Sequence, residues 1–266
     1  MLIIFGALKI EIAAVLNLMS IDNISKTDGI TIYKGKINNE ATLAVTTGMG
    51  KANAKKAVEL IIEKYITGKK SPADIESVNK TDIKFIITGF CGATDKNLDV
   101  GDLVIYESIK NLESTNRSDY VCKDILELKN DGITNFWNKF KLTRVLCGTV
   151  PGVFILPLQK KIIGKQFGVH VIDLESYWII KIIIECNLPF YCIRSVSDTI
   201  EDKLPEYSGI FSKNEILSKL LKSFLLSIIR PKELKTNIKA IKNIKKAQNS
   251  LKHALESLIF YLINKA

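Results

Sequence analysis

An α/β fold, three layers deep around a largely parallel sheet, is the fold class that the sequence predicts. Three observations lead there. Short apolar runs bounded by glycine or proline alternate with longer segments whose apolar residues recur at helical spacing. At 266 residues the chain suits one generous α/β domain, or a core with an appendage, and it can bury a large core without staples. A composition of 47% hydrophobic and 25% charged residues is that of an ordinary globular protein.

Taken in order, Leu2–Phe5 is a short apolar run that ends at Gly6 and reads as a first strand. No basic residue precedes it, so it does not read as a signal peptide. Glu11–Met19 carries apolar residues at helical spacing. Ile30–Lys34 and Ala41–Thr46 read as paired strands, with Asn38-Asn39 near their turn. Thr47-Gly48-Met49-Gly50-Lys51 is a turn. Ala52–Tyr65 then reads as a helix with Ala54, Ala57, Val58, Ile61 and Ile62 inward. Thr67–Asp82 is polar, with glycine and proline, and reads as a loop.

Lys84–Thr88 is a buried strand expected to stop at Gly89, and Leu103–Tyr106 is another strand. Asn111–Lys139 shows no single pattern. Arg144–Cys147 and Gly152–Leu156 look extended. Val169–Asp173 is a strand that runs into a helix over Glu175–Cys186, and Pro189 introduces a strand over Phe190–Val196. Ile216–Ile229 and Leu234–Ile263 read as two helices parted by Arg230-Pro231. In the second, Leu234, Ile238, Ile241, Ile244, Leu251, Leu255, Leu258 and Leu262 follow a three-to-four spacing, and lysines crowd the other positions. A body over residues 1–210 and a basic helical extension over 211–266 are the expected domains.

Composition excludes several classes. The five cysteines include no CxxC pair, which rules out a disulfide scaffold and points to a reducing compartment. His170 and His253, the only histidines, lie far apart, and no metal site is expected. No run of about 18 uncharged apolar residues is present, so no helix is expected to cross a membrane. The cytoplasm is the expected location. The net charge of +10 is uneven: residues 211–266 hold 12 Lys and Arg against 3 Asp and Glu, leaving the body near neutral. A basic tail of this kind suits an anionic partner. It lacks interleaved aromatics and any nucleic-acid reading module, so no nucleic acid is expected. An anionic membrane surface, on the inner face, is the partner expected for the tail.

In parallel α/β sheets, ligands bind beyond the carboxyl ends of the strands. Glu11, Glu175 and Asp198 each follow an apolar strand. Any one reads equally as a surface carboxylate or a helix cap; three at strand ends of one sheet point to a common crevice. Thr88-Gly89-Phe90-Cys91-Gly92-Ala93 is neither a GxGxxG fingerprint nor a P-loop, but glycine lets backbone approach a ligand. Thr47-Gly48-Met49-Gly50-Lys51 could cradle an anion at a helix start. Tight strand-to-helix packing is the plainer account of both glycine turns.

As an ordered set these segments resemble the nucleoside phosphorylase/nucleosidase superfamily, which cleaves N-glycosidic bonds. The resemblance rests on Gly6-Ala7-Leu8-Lys9-Ile10-Glu11, on Thr47 to Ala54, on Thr88 to Ala93 with Val100-Gly101-Asp102-Leu103-Val104, on Ile172-Asp173-Leu174-Glu175, and on Leu188 to Asp198. It covers roughly residues 1–200 and implies a three-layer α/β/α sandwich of the nucleoside phosphorylase type with a C-terminal helical extension. It also implies a chemistry. Loss of a purine from ribose passes through an oxocarbenium-like sugar, so the leaving base needs a general acid.

By resemblance Asp198 is that acid, acting at purine N7, and Ser197 steadies it. Glu175 matches the acceptor for the ribose hydroxyls, and Leu174 stands where methionine is usual, against the sugar. Glu11 matches the residue that holds the attacking water. Phe154 and Ile155 align with the stretch that sandwiches the base; a plain core aromatic is an equal account of Phe154. Phe90 stands where many members have serine and makes the site near Gly92 more apolar. No cofactor is implied.

Gly6-Ala7-Leu8 lacks the arginine of a phosphate-binding turn, which favours water as nucleophile. Asp198-Thr199 with Leu204-Pro205, and Ile229-Arg230-Pro231 with Leu234, are similar to the hopanoid-associated phosphorylase-like proteins. That similarity implies an adenosyl-lipid substrate such as adenosylhopane, with release of adenine. The alternatives are a phosphorolytic purine nucleoside phosphorylase, a nucleosidase for methylthioadenosine/S-adenosylhomocysteine or futalosine, and a non-catalytic nucleoside-binding protein. A homodimer is expected.

Overall fold

The computed structural model describes residues 1–67, 82–116, 119–128, 140–205 and 231–264. Its elements in chain order begin with β1 (Leu2–Gly6), α1 (Ala13–Leu18), β2 (Ser20–Thr27), β3 (Ile30–Ile37), β4 (Glu40–Thr46), α2 (Lys51–Tyr65), β5 (Lys84–Ala93) and β6 (Leu103–Ser114). There follow β7 (Tyr120–Glu127), β8 (Thr143–Thr149), α3 (Pro157–Phe167), β9 (Val171–Asp173), α4 (Ser176–Glu185), β10 (Phe190–Asp198) and α5 (Pro231–Asn264). The chain forms two compact units. One comprises Met1–Gly89, Glu175–Ile193 and Leu255–Ala266; the other comprises Phe90–Leu174 and Arg194–Ala254.

In the first unit every residue of β1 is buried, and β1 pairs in parallel with β4 and with Lys84–Ile87 of β5. A strand covered on both faces reads as a continuous apolar run, which is why Leu2–Phe5 was legible. β4 pairs antiparallel with β3, and β3 with β2. These hairpins turn on Asp28-Gly29 and Asn38-Asn39, all four with positive φ (51°, 85°, 47° and 68°), as a two-residue type I′ turn requires. Such short links join only antiparallel strands, so the sheet is mixed rather than largely parallel. β2 escapes the apolar pattern because neither of its faces is buried: Ile21 is 40% and Ile24 52% exposed. Helix α2 buries the five residues predicted for it, and α4 packs against it.

In the second unit β8 pairs in parallel with β6 and β9. β6 is antiparallel to β7 and to Arg194-Ser195 of β10, and Gly92-Ala93 of β5 is antiparallel to β9. β5 does not stop at Gly89. Its φ of 152° is open to glycine and keeps the chain extended, so the strand runs on to Ala93. The ambiguous stretch Asn111–Lys139 holds the end of β6 and all of β7. Gly152–Leu156 joins no strand; it leads into α3, a helix that the sequence reading omitted although Pro157 marks its first turn. Leu112, Val150, Phe154, Ile163, Val169 and Ile172 form a core cluster beneath this segment.

The apolar stripe expected on α5 divides. Leu251, Leu255, Leu258 and Leu262 are buried, but Ile238 is 38% exposed and Ala240 and Ala247 occupy the buried positions nearby. Among the described residues no helix is long and apolar enough to cross a membrane. The helix expected over Ile216–Ile229, and residues 68–81 of the expected loop, lie outside the described residues.

Gly35 of β3 is placed where a Cβ would lie 2.0 Å from the Ser20 carbonyl oxygen of the neighbouring strand. Backbone cannot yield as a side chain can, so Gly35→Ala should destabilise by about 1–3 kcal/mol or more. Chemical denaturation of the purified variant checks this; unchanged stability would show that β2 is free to move aside.

Candidate functional site

Glu11 and Glu175 belong to the first unit. After β1 the chain turns through Gly6, Ala7 and Leu8, and the loop after β4 is stitched to it. Thr47 N–H donates to the Gly6 carbonyl at 2.9 Å, and Gly48 N–H to that of Ala7 at 3.0 Å. Glu11 is buried, and its Oε2 accepts the Leu8 N–H at 2.9 Å. The turn closes this tightly because residue 6 is glycine: a Cβ there would lie 2.7 Å from Ile12 Cγ2 and 3.3 Å from Glu11 Cβ.

Glu175 is equally buried. Its backbone carbonyl opens α4 by accepting the Trp178 and Ile179 N–H groups at 3.0 and 3.2 Å. Its carboxylate does not cap that helix. Oε1 instead accepts the Gly50 N–H at 2.8 Å, at the N-cap of α2. A helix N-terminus carries unpaired N–H groups and a partial positive charge, and an anion is favourable there. The glycine turn read as an anion cradle thus receives a carboxylate of the chain itself. Lys51, the basic residue of that turn, places its Nζ 4.0 Å from the centroid of the Trp178 ring, a cation–π contact.

Asp198 and Ser197 belong to the second unit, at the end of β10. Asp198 is buried; its Oδ1 accepts the Ser197 hydroxyl at 2.7 Å, and that hydroxyl also lies 3.2 Å from the Cys91 carbonyl. Asp198 Oδ2 accepts from Lys160 Nζ on α3. Gly92 makes room for the carboxylate, since a Cβ there would sit 2.9 Å from Oδ2. The structure therefore brings Ser197, Gly92 and Asp198 together.

The turn after Asp198 is held from two sides. Lys160 donates to the Thr199 carbonyl at 2.8 Å and to the Asp202 carbonyl at 3.2 Å. The Asp202 carboxylate accepts the Thr199 N–H at 2.8 Å, pairs with Lys239 of α5 at 2.5 Å and accepts from Asn243 at 3.1 Å. Burial pushes the Asp202 carboxyl up, but the Lys239 contact and the Thr199 hydrogen bonds outweigh it and hold the group below the usual carboxylate range.

Of the remaining candidates, Phe90 and Ile155 are half-buried, and Leu174 packs on the core cluster that contains Phe154. Phe154 is 3% exposed, with its ring edge-on to Tyr120 at 5.4 Å; in this structure it is a core aromatic. Just before Leu174, Asp173 accepts from the Tyr106 hydroxyl at 3.0 Å and the Thr149 hydroxyl at 2.7 Å, with Arg194 at 3.8 Å. Burial first, then the Asp173 charge, raises the Tyr106 hydroxyl well above its ordinary value, so it remains a donor.

Sequence reasoning missed Lys160, Asp202 and Lys239. Lys160 stands beside exposed Lys161 and looks like half of a surface pair. The signal was the omitted helix: counted from Pro157, Lys160 shares a face with buried Ile163 and partly buried Phe167.

The family model for the phosphorylase superfamily matches residues 2–230. The 5′-methylthioadenosine/S-adenosylhomocysteine nucleosidase of Buchnera aphidicola subsp. Baizongia pistaciae (strain Bp) is 27% identical over 239 residues, 80% of this chain and 86% of that protein. The nucleosidase of the same name from Staphylococcus haemolyticus (strain JCSC1435) is 27% identical over 214 residues, 75% of this chain and 87% of its own length. Among solved structures, the Helicobacter pylori 5′-methylthioadenosine/S-adenosyl homocysteine nucleosidase superposes with a TM-score of 0.68 at 14% identity, covering 100% of this chain and 98% of that one. The futalosine hydrolase of Helicobacter pylori strain 26695 gives a TM-score of 0.68 at 14% identity, covering 100% and 97%. These structures share its α/β fold, and with the family model running from β1 to the start of α5 the chain belongs to the phosphorylase superfamily.

Proposed function

We propose that this chain hydrolyses the N-glycosidic bond of a purine nucleoside and releases the free base. The observation that carries the reading is Asp198: a buried carboxyl at a strand end, oriented on one oxygen by Ser197 and on the other by Lys160. In the proposed step Asp198 gives its proton to N7 of the base as the bond from C1′ to N9 breaks. The electron pair of that bond leaves with the base. A water oxygen bonds to C1′, and its proton passes to Glu11. Glu175 accepts hydrogen bonds from the ribose hydroxyls. No metal or organic cofactor enters, because side chains supply acid, base and ribose acceptor.

Water is favoured over phosphate as nucleophile. The sequence has no arginine in the turn after β1, and the N-terminus of α2 already receives the Glu175 carboxylate. For the substrate, adenine is the proposed base, and an apolar 5′-substituent, as in adenosylhopane, is supported by Phe90 in place of a serine. The names of the relatives favour a second reading, a nucleosidase for methylthioadenosine, S-adenosylhomocysteine or futalosine. All of the candidate residues lie within 1–210, the proposed catalytic body, with 211–266 as an extension of a cytoplasmic homodimer. Since the later part of the α5 stripe is buried, attachment to an anionic membrane would draw on the exposed lysines rather than on that part of the stripe.

Three measurements test these statements. Asp198→Asn should lower kcat for adenine release by roughly 10²–10⁴-fold with an unchanged circular dichroism spectrum; near-normal turnover would remove Asp198 from the role of acid. Base release should continue in phosphate-free buffer and yield a free C1′ hydroxyl, with Glu11→Gln slow but still able to bind nucleoside. A ribose 1-phosphate product that appears only when phosphate is supplied would instead make the enzyme a phosphorylase. In liposome sedimentation, binding to anionic vesicles should appear at low salt and vanish at about 1 M salt, where the Debye length is ~3 Å; no binding at low salt would remove the membrane as partner.

A further inference from the structure

Lys160 is the one lysine among the described residues that is buried, at 0% exposure. An ammonium group has three N–H donors, and here each has an acceptor: Asp198 Oδ2, the Thr199 carbonyl and the Asp202 carbonyl. Taking an ammonium out of water costs several kcal/mol unless its partners are well placed. A neutral side chain could hold a turn by its carbonyls without that cost. What distinguishes this site is that one of the three acceptors is the carboxyl proposed to lose a proton.

We propose that Lys160 is a positioning residue for the acid, and that it stabilises the charge which appears on Asp198 as the proton leaves. The inference rests on the reading of Asp198 as general acid. The proton goes to N7 of the base, and the electron pair stays on the carboxylate. A preorganised donor aimed at a developing charge in a dry site lowers the barrier without reorganisation. The surroundings fix the carboxylate in one rotamer. Ser197 holds Oδ1, Lys160 holds Oδ2, and Gly92, having no Cβ, leaves the space that Oδ2 occupies. Lys160 is itself immobilised: α3 carries it, and the turn it ligates is anchored through Asp202 to Lys239 and Asn243 of α5. Lys161, the next residue, is exposed and pairs with Glu201 at the surface, so the two adjacent lysines have separate tasks.

The test is a double-mutant cycle on adenine release from adenosine, or from 5′-methylthioadenosine if that turns over faster. Lys160→Met should lower kcat by about 10²-fold, the scale of losing one charge-stabilising donor, with KM within ~3-fold of wild type. Lys160→Arg should recover part of the loss. In the Asp198→Asn background, Lys160→Met should cost less than ~3-fold further, because the charge it stabilises is never formed. Wild-type kcat in Lys160→Met, or losses that multiply across the cycle, would reduce the lysine to a structural role and overturn the inference. Where circular dichroism shows the methionine variant unfolded, Lys160→Gln takes its place, and wild-type kcat in that variant overturns the inference equally. Near-normal kcat in Asp198→Asn alone is a different result, and it removes the general-acid reading itself.

Discussion

A buried lysine bonded to a buried carboxyl group is the constraint on which the second unit depends. An unpartnered charge is not tolerable in a low-dielectric interior, so the lysine and its acceptors fix one another. Once Lys160 must reach Asp198, α3 has to begin near Pro157 and present that side chain inward. The turn after β10 must offer its carbonyls at Thr199 and Asp202 to use the remaining protons. Asp202 then holds α5 by a second ion pair, with Lys239. Helix α3, a strand end and the first half of the C-terminal helix are placed by one connected set of charges rather than by apolar contact alone.

The first unit solves a different problem with backbone. Two strand ends are followed by glycine turns that bond to one another, and the carboxylates sit where those turns leave N–H groups pointing inward. Glu11 takes the N–H of Leu8 and Glu175 that of Gly50. In these two bonds the carboxylates are held by peptide dipoles. Each bond orients its carboxylate, and an ionised carboxyl has about four lone-pair sites in all.

The sequence was most informative where burial was two-sided and least where it was absent. β1 and α2 declare themselves through unbroken or periodic apolar residues, and the five inward positions of α2 are those read from spacing. β2 is exposed on both faces, and its signal is Asp28-Gly29, a hairpin turn with an apolar run only on its β3 side. Glycine after an apolar run reads as a strand stop, yet Gly89 carries β5 on to the position where Gly92 makes room for Asp198. The acidic candidates were legible because carboxylates after strands are conspicuous. Their partners were not: a lysine looks the same in sequence whether it is solvated or enclosed, and Lys160 differs from Lys161 only in helical phase.

The enclosed lysine also sets a limit on how stable this protein can become. Replacing a buried ion pair with well-packed apolar side chains is often neutral or stabilising, by about 1–4 kcal/mol. A leucine or methionine in the Lys160 cavity, with an apolar partner at residue 198, is therefore a change that selection for heat resistance alone would reward. Proteins under that pressure drift toward tighter and less polar interiors, and activity is the recurrent loss. On the proposed chemistry the charges of the second unit are held at the expense of stability, and a protein with both positions apolar should bind nucleoside without turning it over.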